Sequence, residues 1–134
     1  MNKNNNENTI LIVDDELPLR QVLQDKFQRE GFSVITASNG QEGFEKAKQQ
    51  KPNIILMDIM MPLVNGFSMI NLLRKEPDTK NIPVVVLTNF SEYQQKLAPV
   101  QDFLLKNEWK MEHLVEHIKK GYKKYFKVIG NVTP

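Results

Sequence analysis

Cysteine is absent from this 134-residue chain. That removes disulfides and thiolate-held metal sites together. Long apolar runs are absent too: the hydrophobic stretches are far too short to cross a bilayer. The first residues, "MNKNNNEN", lack the apolar segment of a signal peptide, and with the missing cysteines this leads us to expect a cytoplasmic protein with no membrane partner. No G-x-G-x-x-G or P-loop sequence occurs, so nucleotide binding of those kinds has no support. Net charge is only +2, which argues against a globally basic nucleic-acid surface. The charge is uneven, however. Residues 106–134 carry seven lysines against three glutamates, while residues 1–105 carry eleven basic and thirteen acidic groups. A solvated, lysine-rich helix end accounts for the excess, and no nucleic-acid partner is expected.

What is present is a regular alternation. Residues 1–8 read as a disordered tail. "TILIV" (9–13), "FSVIT" (32–36), "IILM" (54–57), "PVVVL" (83–87) and "DFLL" (102–105) read as strands. Helical spacing fills 17–30, 40–50, 65–76 with Asn65 as N-cap, a short stretch 91–98, and 108–126. Strands alternating with helices predict one α/β domain over 9–127, with a parallel sheet covered on both faces and a tail at 128–134. Strands apolar throughout, rather than every second residue, predict the same burial.

The polar residues at the strand ends stand out against this background. "NIILMD" runs four apolar residues into Asp58. A bare carboxylate is costly to bury, so Asp58 needs a partner at an exit from the core. Asp14 and Asp15 follow the first strand, Thr88 the fourth and Lys106 the fifth. In an open parallel sheet these ends share one edge, where ligands bind. Each residue alone has an ordinary explanation: a helix start, a cap, a surface charge. Together they predict a site. Clustered carboxylates need a cation, and hard oxygen donors suit Mg2+ or Mn2+. Lys106 would add a second positive charge.

"HLVEH" (113–117) fits a zinc-protease spacing. Helical geometry places Met111, Leu114, Val115, Ile118, Tyr122 and Tyr125 on one stripe, and His113, Glu116 and His117 on the opposite, solvent face. An exposed face cannot enclose a reaction, so this motif is set aside. Trp109 is expected to pack at the helix start.

The segments "ILIVDDE", "LMDIMMPLVNG", "VVVLT" and "DFLLK" resemble the response-regulator receiver domain of two-component signalling. The resemblance spans about residues 9–126. It implies a flavodoxin-like doubly wound sheet of strand order 2-1-3-4-5, with five helices and the fourth shortened. It implies that Asp58 accepts a phosphoryl group from the phosphohistidine of a sensor histidine kinase or phosphotransfer protein. Asp14, Asp15, Asp58 and the backbone carbonyl of Met60 would hold Mg2+ or Mn2+. Lys106, the Thr88 hydroxyl and the Asn89 backbone N–H would bind the phosphoryl oxygens. Thr88 and Phe103 would form the switch that reshapes a surface for a downstream protein. Turnover of an outside substrate is not expected, since Met60 stands where a second acid–base carboxylate would be needed. Two other readings stay open: a degenerate receiver that binds partners without phosphorylation, and a Mg2+-dependent phosphohydrolase.

Several positions depart from the family pattern. Asn107, not proline, follows Lys106; a cis bond there would cost about 2.5–4 kcal/mol, so a trans bond and a rearranged loop are expected. The Thr88–Lys106 segment is about one helical turn short. Asn89 replaces a small residue, and Met60 supplies an apolar flank to Asp58.

Overall fold

The computed structural model describes residues 8–59, 65–90 and 100–132, with side chains described as far as Tyr122. Residues 1–7 of the tail expected over 1–8, the Met60 site and the short helix over 91–98 lie outside the described residues. Strands β1 (Thr9–Val13), β2 (Ser33–Ala37), β3 (Ile54–Met57), β4 (Val84–Thr88) and β5 (Asp102–Leu105) form one sheet in the order β2-β1-β3-β4-β5. Every pairing is parallel. Helices α1 (Leu17–Arg29), α2 (Gly40–Gln50) and α3 (Gly66–Lys75) lie between the strands, and α4 (Met111–Val132) follows β5.

Local chemistry sets these boundaries. Pro18 lies in the first turn of α1, where its missing N–H is no loss. Gly31, with φ of 96°, carries the chain out of that helix. The Asn39 side chain accepts the Glu42 N–H at 2.9 Å, capping α2, and Asn65 caps α3 through the Ser68 N–H at 3.1 Å. The final helix differs from the expectation of 108–126. Residues Lys106–Glu108 form a 3-10 turn, α4 begins at Met111, and it continues to Val132, into the segment read as a tail.

Two apolar layers sandwich the sheet. One joins Ile10, Ile12, Leu56, Val85 and Leu104 to Leu23 and Phe27 of α1 and to Leu114, Val115, Ile118 and Tyr122 of α4. The other joins Leu11, Ile55, Met57, Val84 and Val86 to Ala47 of α2 and to Met69, Ile70 and Leu73 of α3. Burying a side chain such as Leu23 or Phe27 contributes about 1.5–3 kcal/mol. Among the described residues, no helix is long and apolar enough to cross a membrane.

Candidate functional site

The chain turns one way from β1 to β2 and the other way from β3 to β4, so the strand order reverses between β1 and β3. That crevice is where a doubly wound sheet accepts ligands. Val13 and Met57 are register partners at its mouth. The next residues, Asp14 and Asp58, therefore emerge side by side. The Asp58 N–H donates to the Val13 carbonyl at 3.0 Å, and the Asp14 N–H to the Ala37 carbonyl at 3.1 Å. Both carboxylates are held by backbone already committed to the sheet.

Asp14 and Asp58 are buried and Asp15 is exposed, yet one carboxylate oxygen from each lies within 4.8 Å of the others. Lys106 closes the group from β5. Its Nζ lies 2.9 Å from Asp58 Oδ2, 3.2 Å from Asp14 Oδ2 and 3.4 Å from Glu16 Oε1. The Lys106–Asn107 bond is not cis, in line with the sequence expectation, and the 3-10 turn still delivers the ammonium to the acids.

The electrostatics follow from burial and pairing. Burial raises the Asp14 carboxyl above its usual range; a hydrogen bond from the Glu16 N–H and the nearby Lys106 charge oppose this without cancelling it. Burial also works against the Lys106 ammonium, but the hydrogen bond and attraction from Asp58, with those from Asp14, outweigh it and raise its pKa. One cation thus serves two buried carboxylates, and Asp14 remains under-neutralised. Three carboxylates offer hard oxygen donors of the kind a divalent cation takes.

Thr88 ends β4, opposite Leu105, so it stands one residue before the level of Lys106. Its side chain is fully buried, and its hydroxyl has no hydrogen-bond partner among the described residues. Asn89 follows it, exposed. Phe103 lies on β5 opposite Val86, half-buried against the α2/α3 layer.

The chain matches the family model described as the response regulator receiver domain over residues 10–119. The chain belongs to the response-regulator receiver family. Among curated relatives, Protein PilH of Pseudomonas aeruginosa is 39% identical over 88 residues, spanning 66% of this chain and 73% of PilH. The probable transcriptional regulator ycf27 of Pyropia yezoensis is 34% identical over 97 residues, spanning 72% of this chain but only 39% of that protein. Among solved structures, chemotaxis response regulator CheY4 of Vibrio cholerae is 28% identical with a TM-score of 0.77, covering 84% of this chain and 97% of that chain. Response regulator TrrA of Thermotoga maritima, solved in complex with Mg2+-BeF, is 30% identical with a TM-score of 0.74, at the same coverage. Receiver domains are signalling switches rather than substrate-turnover enzymes.

Some residues at this receiver site escaped the sequence reading. Glu16 reaches Lys106. Gly66 donates its N–H to the Ile59 carbonyl at 2.8 Å and packs directly on the Asp58–Ile59 backbone. His117 corrects the sequence reading: it does not simply face solvent. Its Nε2 lies 2.8 Å from Asp102 Oδ2, and its ring lies 4.7 Å from that of Trp109, while His113 is exposed.

Proposed function

We propose that this receiver is a phosphoryl-accepting switch with Asp58 as the acceptor. The observation that carries the reading is the buried Asp58 carboxylate, 2.9 Å from the Lys106 ammonium and clustered with Asp14 and Asp15. The donor is a phosphohistidine on a sensor histidine kinase or phosphotransfer protein. An Asp58 oxygen forms a bond to phosphorus as the phosphorus–nitrogen bond breaks. The bonding pair leaves with the imidazole, which takes up a proton.

Asp14, Asp15 and Asp58 would hold Mg2+ or Mn2+, with the Met60 carbonyl as a further oxygen donor. The ion supplies positive charge against carboxylate and phosphoryl oxygens. Lys106 pairs with a phosphoryl oxygen as a charge-assisted donor. The Thr88 hydroxyl, buried without a partner among the described residues, turns to another oxygen, and the Asn89 N–H donates to the same group. Movement of Thr88 frees space beside β4, into which Phe103 follows from β5. That changes the surface offered to a downstream protein. The added charge and acceptor oxygens bias the two arrangements. With Asn107 in place of proline, the Lys106 ammonium still lies 2.9 Å from Asp58. The unit acts away from membranes, in the cytoplasm.

The test is intact-mass measurement after incubation with Mg2+ and a small acyl-phosphate donor, and then with a phosphorylated kinase. A gain of one phosphoryl group, lost in Asp58→Asn, is expected. No gain from either donor overturns the reading in favour of a phosphorylation-independent module. Steady release of inorganic phosphate over many turnovers overturns it in favour of a hydrolase.

A further inference from the structure

Lys106 is carried by a 3-10 turn whose next residues, Asn107 and Glu108, are exposed and which has no side-chain cap. A turn without proline and without a cap is weakly fixed by its own backbone. Yet Lys106 holds a defined place against two buried carboxylates. Its ion pairs hold the ammonium, and packing past the turn is placed to hold the backbone that carries it.

Trp109 terminates the turn, three residues past Lys106, and packs against the α1/α4 apolar layer. Its ring meets the His117 ring at 4.7 Å between centroids, tilted by 43°. His117 projects from α4 and binds Asp102 at 2.8 Å. A carboxylate only accepts, so Nε2 carries the hydrogen. Asp102 opens β5, whose last residue, Leu105, precedes Lys106. Strand alternation sets Asp102 on the same side of the sheet as Leu104, the α4 side. Neither His117 nor Asp102 is fully exposed, with side chains 39% and 28% accessible. The imidazole therefore ties the start of β5 to Trp109, the residue that ends the 3-10 turn carrying Lys106.

We propose that Asp102, His117 and Trp109 form a brace that positions Lys106 at the acidic site, in the role a rigid turn would otherwise fill. These are positioning residues: none is placed on the reacting atoms. The value of the brace to phosphoryl transfer rests on the function proposed above, but the brace itself can be tested without it.

The primary readout is the rate at which a small amine-acylating reagent modifies Lys106 in the full chain, followed by peptide mass spectrometry. Lys106 is protected in the parent protein, its side chain only 11% accessible. In His117→Ala and Asp102→Asn its labelling rises by about threefold or more as the turn opens locally, while Lys46, Lys48 and Lys51 on the far side keep their rates. His117→Gln, which retains an N–H that reaches Asp102, restores protection. Unchanged Lys106 labelling in folded His117→Ala and Asp102→Asn overturns the proposal. So does an equal rise at every lysine, which makes the contact a general support of the fold. Acyl-phosphate uptake supplies a second readout: His117→Ala slows it in the parent but not in a Lys106→Met background. Equal slowing in both backgrounds overturns the brace. Failure of the parent to take up phosphate at all refutes the proposed function instead, and the labelling result still decides the brace.

Discussion

Gly66 rests on the backbone that carries Asp58. A β-carbon at Gly66 would lie 2.6 Å from the Ile59 Cα and 2.9 Å from the Asp58 carbonyl oxygen. Both obstacles are main chain, so neither can swing aside. Gly66→Ala is expected to lower stability by about 1–3 kcal/mol and to displace Asp58. Urea denaturation measures the first effect; weakened Mg2+ binding, followed by Trp109 emission, reports the second.

Thr88→Val makes an opposite prediction. The hydroxyl is buried without a partner among the described residues, and such a group costs about 1–3 kcal/mol in lost hydration. The near-isosteric valine should leave the unphosphorylated protein as stable or more stable, by up to roughly 1–2 kcal/mol. The phosphoform should lose the Thr88 contact and with it the Phe103 movement. Denaturation midpoints of the two forms, compared side by side, reveal the change of sign.

Asp14→Asn separates the acid cluster from the fold. Burial already disfavours the Asp14 carboxylate more than its neighbours compensate. The amide oxygen can still accept the Glu16 N–H, now 2.9 Å from Asp14 Oδ1. The variant should match or exceed the parent in metal-free stability, by about 1 kcal/mol. Added Mg2+ should raise the melting temperature of the parent and leave the variant nearly unmoved. Scanning calorimetry with and without Mg2+ checks both.

Acid sensitivity at the start of α2 follows from Glu42. Its carboxylate accepts the Ser38 N–H at 2.8 Å, which lowers its pKa against the opposing effect of burial, with further help from Lys46 and the Ser38 hydroxyl. A lowered folded value means stability that is present above the ordinary value of 4.5 and lost as pH falls through the folded value. The side chain is 40% accessible, so screening limits the effect to about 0.5 kcal/mol. The stability gap between parent and Glu42→Gln should be constant near neutrality and should close below the ordinary carboxylate range.

Much of this could be read along the chain, for identifiable reasons. Apolar strands such as Ile54–Met57 announce themselves because both of their faces are covered. Asp14, Asp58 and Lys106 were legible because a parallel sheet sends every strand end to one edge. Asn65 and Gly31 mark helix ends through local chemistry alone. The His117–Asp102 pair was not legible. It depends on α4 starting at Met111 instead of 108 and on how that helix lies along β5, and neither follows from periodicity. Gly66 was missed likewise, since a glycine's close contact leaves no trace in hydropathy.

The site borrows from β1, β3, β4 and β5, and this has a consequence for biosynthesis. A polypeptide leaving the ribosome supplies its two buried aspartates long before the ammonium that faces them. Until the fifth strand docks, the nascent pocket lacks the Lys106 ammonium that pairs with both buried acids. A divalent ion, held by these acids as proposed above, would offset their charge at that stage, so ion supply would favour the half-built sheet before any signal reaches the finished protein.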